Sequence, residues 1–145
     1  DARDVPAGQT RDYIFGYTIL NDVSARDVQT AHKQWYFGKS LDGFTPIGPC
    51  IVTADAFADY PPRLGIRSFV NGEKRQDSNT ALQIFDIDHV IAELSQGMTL
   101  KAGTIIATGT PAGVGMGMDP PQFLKPGDVV RCEIEGIGTL TNPVK

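Results

Sequence analysis

Histidine and cysteine are scarce, with two of each in 145 residues. Cys50 and Cys132 are far apart and form no C-x-x-C, so the chain carries neither a disulfide framework nor a thiolate metal knuckle. They read as reduced core residues of a cytosolic protein. His32 and His89 each stand alone, without a partner at ligand or triad spacing, and zinc has no credible site. Basic charge is also short: 13 Lys and Arg against 17 Asp and Glu give −4, with a pI near 5.0. That balance leaves no electrostatic footprint for nucleic acid. No apolar run approaches the ~20 residues of a membrane span, and no signal-peptide pattern opens the sequence. An acidic chain can still take an anionic substrate, provided local cations or a metal hold it.

Glycine and proline are plentiful, at 16 and 10 residues. Such punctuation points to many short strands and turns and away from a helical bundle. Hydrophobic residues make up 41% and charged residues 21%, which is ordinary globular usage. A chain of this length makes one domain and buries roughly 70% of its unfolded surface.

Residues 12–20 (DYIFGYTIL) are apolar on both faces and read as a buried strand. Ser24 offers an N-cap with Asp27 three residues on, which predicts a short helix over residues 25–34. Gly38, Gly43, Pro46 and Gly48 break the next stretch into loops, followed by strands at 49–53 and 64–70. Asn71-Gly72 is a strong hairpin signal that returns the chain through residues 73–76. Ile87, Val90, Ile91 and Leu94 fall at i, i+3, i+4 and i+7 between Asp86 and Gly97, which predicts the clearest helix. Two similar turns, at 100–106 and 124–130, each precede β-branched residues and predict strands at 104–107 and 129–135, the latter turning into 139–141. The expected fold is α+β: a single domain over residues 1–145, mostly antiparallel or mixed sheet with two short helices.

Gly38-Lys39-Ser40 tempts a phosphate-loop reading, but Lys33 stands where the first glycine belongs, so nucleotide hydrolysis is rejected. The glycine-rich run 108–117 is not G-x-G-x-x-G, and Pro120-Pro121 follows in place of a helix. It reads either as a long turn or as a loop whose bare backbone lets a small ligand approach Thr108 or Thr110. No G-x-S-x-G is present. Glu133 and Glu135 share a strand face, where alternation beside Arg131 favours a solvated surface over chelation. The most informative cluster is Asp22, Arg26 and Gln29, where a strand meets a helix. From spacing alone it reads first as a salt-bridged capping network and second as a hard-cation site beside a carboxylate ligand.

Four blocks in order carry a resemblance. Residues 16–29 (GYTILNDVSARDVQ), 38–49 (GKSLD through PIGP), 70–85 (VNGE through NT and IF) and 107–115 (ATGTPAGVG) together resemble the fumarylacetoacetate hydrolase superfamily. Gln83 stands where a Met commonly precedes the Ile-Phe pair. The resemblance implies a mixed β-sandwich or roll that forms a homodimer, and a Mg2+- or Mn2+-dependent site acting on small 2-oxo acids. By position it makes Asp22 a metal ligand, Lys39 a cation beside the metal-bound oxygens, Gln29 and Thr110 substrate contacts, and Arg26 a support of that shell. A cation chelated by a 2-oxo acid withdraws charge from the carbonyl, so an enolate is stabilised where it forms.

The family pattern also includes a Glu-x-Glu pair upstream of the first block, and often a His–Glu pair on a lid. Neither precedes the first block here, so the chain reads as the C-terminal portion of a catalytic domain, inactive alone. The leading expectation is a metal-dependent hydrolase cleaving a C–C bond of an acylpyruvate or fumarylacetoacetate-like substrate. An oxaloacetate decarboxylase, or an oxo-diacid isomerase or hydratase, shares the same enolate and the same residues. A non-catalytic remnant is the rival from another class.

Overall fold

A computed structural model describes residues 1–31 and 33–145; the reading of His32 lies outside the described residues. Among the described residues, six strands and two α-helices follow one another as β1 (Gly16–Leu20), α1 (Arg26–Ala31), β2 (Ile47–Thr53), β3 (Gly65–Val70), β4 (Glu73–Asn79), α2 (Ile87–Gly97), β5 (Val129–Ile134) and β6 (Gly138–Pro143). β1 and β2 form a two-stranded sheet; β4, β3, β5 and β6 form a second sheet in that order. All of these pairings are antiparallel. The architecture is the expected α+β fold built from two sheets. No helix is long and apolar enough to cross a membrane among the described residues.

The sheets meet over a small core. Ile19 of β1, Ile137 in the β5–β6 turn and Leu140 of β6 are buried, with Tyr17, Val52, Phe57, Leu64, Cys132 and Ile134 packed around them. Tyr17 and Phe57 meet edge to face, their centroids 5.5 Å apart. β2 and β6 meet at Gly48 and Gly138, whose φ of 147° and 129° other residues rarely adopt.

The hairpin forms where Asn71-Gly72 predicts it, with φ of 53° and 85°, as a two-residue loop with both central residues left-handed requires. Asn71 also clips the hairpin to β5. Its Nδ2 donates to Asp128 Oδ1 at 2.8 Å and its Oδ1 accepts from Val129 N at 2.9 Å. The Asp128 carboxyl is held below the usual carboxylate range, first by that bond from Asn71. Helix α2 starts where expected, with the Asp86 side chain accepting from His89 N at 2.8 Å.

Four expectations are corrected. Residues 12–20 are not one buried strand: a 3₁₀ turn spans Arg11–Tyr13, and Phe15 is 75% exposed although Ile19 is 2% exposed. β1 pairs with β2 alone among the described strands, so one of its edges carries no strand partner. The first helix stops at Ala31, short of residue 34, and Lys33 takes a left-handed φ of 55° that a helix cannot continue. Residues 104–107 form no ladder; the turn closed by Thr104 N on Lys101 O (2.9 Å) leads into an unpaired stretch with Ile105 exposed. Cys50 is exposed, whereas Cys132 is partly buried and burial raises its thiol pKa; both are free.

Residues 1–10 pack as part of the fold. Ala2 bridges Leu100, Asp4 N donates to Ser95 O at 2.9 Å, and Val5 N donates to the buried Ser95 hydroxyl at 3.1 Å. Thr10, with no exposed surface, donates to Asp88 Oδ1 at 2.5 Å, and Gly8 N and the Tyr60 hydroxyl join the same carboxylate. The Thr10 bond is the main cause that lowers the Asp88 pKa, against the opposing pull of burial. A carboxyl pKa depressed by folding adds stability above its unfolded value, and this contribution is lost as pH falls through the folded pKa. Asp88→Asn is therefore expected to cost about 1 kcal/mol at pH 7. The gap to wild type starts to narrow as pH falls below about 4, the unfolded value, and goes on narrowing through the depressed folded pKa; urea unfolding at pH 7, 5 and 3 measures both.

Candidate active site

At the end of β1 the chain turns sharply. Asn21 N donates to Pro46 O at 3.0 Å and Val23 N to Asn21 O at 2.8 Å, which leaves the Asp22 carboxylate projecting beside the start of α1. A 3₁₀ turn over Phe37–Lys39 docks on the same helix start, with Ala25 N donating to Gly38 O at 2.8 Å. The approach is possible because residue 38 has no side chain. A Cβ there would lie 2.8 Å from Gln29 N and 2.9 Å from Ala25 O, both unyielding backbone atoms.

This docking delivers Lys39 to Asp22. The ammonium forms an ion pair with Asp22 Oδ2 and donates to the Ser24 hydroxyl at 3.2 Å. Ser24 in turn donates to Asp22 O at 3.2 Å, so its hydroxyl serves the Lys39 cluster and not the helix cap expected of it. Thr45 Oγ1 donates to Lys39 O at 2.9 Å and fixes the backbone behind the side chain. The Lys39 and Asp22 side chains remain 27% and 41% exposed. A pair that open to solvent contributes only about 0–1 kcal/mol. The backbone holds it in place, and stability does not explain its placement.

One helical turn further on, Arg26 Nη1 donates to Gln29 Oε1 at 2.8 Å. Gln29 is 5% exposed, with its amide oxygen taken by Arg26. Asn21 Nδ2, beside Asp22, is buried without an acceptor among the described residues. Of the four side chains Asp22, Arg26, Gln29 and Lys39, two are cations and one is an anion, and 2 − 1 = +1 in a chain of net charge −4.

Thr110 sits elsewhere. Its Oγ1 accepts from Gln76 Nε2 of β4 at 2.8 Å, and no hydrogen bond joins it to Asp22 or Lys39 among the described residues. A cleft of about 1050 Å3 has Leu20 and Ile47 from the β1–β2 end and Thr108 from the glycine-rich loop in its walls. Asp22, Lys39 and Thr110 do not line it. The structure thus brings Asp22, Ser24 and Lys39 into one cluster, sets Arg26 on Gln29 beside it, and mounts Thr110 on the other sheet.

Glu133 pairs with Arg131 at 3.2 Å and Glu135 accepts from Gly65 N at 3.0 Å, so the two do not converge. Among the described residues no three His, Cys, Asp or Glu side chains gather as metal donors. Asp22 is one carboxylate already paired with an ammonium, whereas a hard divalent ion takes six or more oxygen ligands. These residues alone do not make a complete divalent site. Sequence reasoning missed Ser24 as a partner of Lys39 and Gly38 as the spacer. The glycine directly before the lysine was the available signal for the latter.

The family described as "Fumarylacetoacetate (FAA) hydrolase C-terminal" matches residues 1–145. The chain is 51% identical over 133 residues to oxaloacetate tautomerase YisK of Bacillus subtilis, which covers 92% of this chain and 44% of that protein. Among solved structures, fumarylacetoacetate hydrolase from the psychrophile Exiguobacterium antarcticum superposes with a TM-score of 0.94 at 53% identity, over 99% of this chain and 51% of its own. The 2-hydroxyhepta-2,4-diene-1,7-dioate isomerase of Mycobacterium marinum superposes with a TM-score of 0.86 at 48% identity, over 98% and 52%. The chain spans about half the length of the curated relatives it matches.

If the contact at Gly38 sets the cluster, Gly38→Ala has to push the 37–39 turn off α1. The expected cost is about 1–3 kcal/mol, read as a lower thermal midpoint, whereas Gly43→Ala, with open space around its Cβ position, pays only for its left-handed φ.

Proposed function

The chain belongs to the fumarylacetoacetate hydrolase family, and on that premise we propose that the full-length protein is an enzyme that interconverts a small 2-oxo acid with its enol or double-bond isomer through an enolate. Members of this family are enzymes, named as hydrolases, isomerases and tautomerases. The observation that carries the proposal is the Lys39 ammonium, held by backbone contacts beside Asp22 and Ser24 in a locally cationic corner.

The chemistry follows from where charge develops. Removing the C3 proton of a 2-oxo acid leaves its electron pair delocalised onto the C2 oxygen. Returning the proton to that oxygen gives the enol, and returning it to a different carbon gives the isomer; no atom is gained or lost. A fixed ammonium within reach of the C2 oxygen stabilises the charge at the moment it appears, and it needs no reorganisation. Lys39 fills that role. Asp22 orients the ammonium; Gln29, supported by Arg26, and Thr110 bind the substrate carboxylate and oxo group.

Family members generally use a divalent metal. In this reading Asp22 is the carboxylate that this chain contributes to a Mg2+ or Mn2+ site whose other ligands are not among the described residues. The ion would polarise the chelated 2-oxo acid. Residues 1–145 then form the C-terminal portion of a catalytic domain. A homodimer belongs to the same proposal, supported by apolar side chains that stand exposed here, such as Phe15, Tyr36 and Ile84.

A second reading is C–C hydrolysis of an acylpyruvate or fumarylacetoacetate-like substrate, favoured by the likeness to the Exiguobacterium hydrolase. It uses the same enolate and adds an activated water at the distal carbonyl. The two separate in one experiment on the full-length protein. Ultraviolet absorbance follows the decay of enol-oxaloacetate to the keto form, while cleavage of an acylpyruvate is assayed in parallel. Isomerisation predicts acceleration of the first and none of the second. Lys39→Met is expected to lower kcat by at least about 100-fold with an unchanged thermal midpoint. A fully active Lys39→Met enzyme would refute the role given to this residue.

A further inference from the structure

We propose that Gln76 is a positioning residue for Thr110: its amide fills the acceptor side of the Thr110 hydroxyl, so that the O–H is left to donate to substrate. The inference rests on the reading of Thr110 as a substrate contact and extends it to a residue of the 70–85 block to which the sequence reading gave no role. It begins with a defect in the β3–β4 ladder. Ser68 pairs with Gln76 and Phe69 with Lys74, so Arg75 is an extra residue on β4, a bulge. Bulges re-aim the side chains around them. Here Gln76 and Arg75 both turn toward the glycine-rich loop.

The loop is built to meet them. Gly113 passes with φ of 110°, so close that a Cβ would lie 2.0 Å from the Arg75 carbonyl oxygen. The Arg75 guanidinium reaches the Gln122 side chain and the Met118 sulfur beyond the loop and pairs with Glu73 at 3.2 Å. Gln76 Nε2 donates to Pro111 O at 2.7 Å and to Thr110 Oγ1 at 2.8 Å, which uses both of its hydrogens. A carbonyl oxygen only accepts, so the atom facing Pro111 is the amide nitrogen and the orientation of the amide is fixed. Ser68 Oγ donates to the remaining Gln76 Oε1 at 2.8 Å and locks it from behind.

This chain of donors has a direction. Ser68 donates to Gln76, Gln76 donates to Thr110, and the one hydrogen of Thr110 cannot point back along the bond it accepts. Thr110 is exposed, so that hydrogen is presented outward. A substrate carboxylate, which only accepts and gains no charge in the reaction, is the complementary partner. A threonine without this support spends part of its time with the hydrogen turned elsewhere, and binding falls while the chemistry at Lys39 is untouched.

The test measures KM and kcat for oxaloacetate in the full-length protein, with thermal midpoints as the folding control. Gln76→Leu, close in shape but with no donor, is expected to raise KM about tenfold, the scale of one oriented hydrogen bond, and to leave kcat within about twofold. Thr110→Val raises KM at least as much, whereas Thr110→Ser keeps the wild-type value. In the Thr110→Val background the effect of Gln76→Leu disappears, because there is no hydroxyl left to orient. Ser68→Ala, which only unlocks the amide, raises KM about threefold and carries the test if Gln76→Leu folds poorly. If Gln76→Leu keeps its full effect beside Thr110→Val, the positioning role is overturned and the substrate role of Thr110 stands. An unchanged KM in Thr110→Val overturns both.

Discussion

The close approach of a glycine to a helix backbone organises the rest of the cationic corner. With no side chain at residue 38, the 37–39 turn settles onto the first turn of α1, and the next residue in sequence delivers its ammonium to the aspartate at the end of β1. The ion pair does not create this geometry; it is too exposed to supply the energy. Packing and backbone hydrogen bonds place the charges, and the charges are then free to act on a ligand.

The candidate machinery is divided between the two sheets. The cationic corner belongs to the β1–β2 sheet, through the turns that leave β1 and enter β2. The threonine loop belongs to the four-stranded sheet, gripped by the bulge in β4. Each half is held by its own contacts, one through a glycine against a helix backbone and the other through an amide whose nitrogen and oxygen are both hydrogen-bonded. What relates the halves is the small core of Ile19, Ile137 and Leu140 between the sheets. A change there alters the spacing of the two halves without touching either one.

Much of this was legible in the sequence for specific reasons. Asn71-Gly72 announces its hairpin because few residues other than glycine and asparagine tolerate two successive left-handed conformations. Helix α2 is legible because its apolar spacing and its Asp86 cap agree. Asp22 and Lys39 were legible only as members of ordered motif blocks; nothing in a separation of 17 residues says that they touch. Residues 12–20 and 104–107 misled for a shared reason. Their apolar pattern describes surfaces that want covering, and among the described residues each has an uncovered side. Gln76 lies inside the 70–85 block, but nothing marked it out from its neighbours there, since its placement arises from a bulge and a pairing irregularity leaves no mark on composition or periodicity.

The clip at the tip of the β3–β4 hairpin carries a chemical liability. An asparagine followed by glycine is the sequence in which a side-chain amide is most readily lost to aspartate, because the following nitrogen is unshielded. Here that amide is not idle: its Nδ2 donates to Asp128 Oδ1, and its Oδ1 receives Val129 N. Loss of ammonia at Asn71 would set two carboxylates face to face where one donor and one acceptor now meet. The hairpin so loosened is the one that bears Arg75 and Gln76, so slow ageing of a purified sample would reach the threonine loop from its far end.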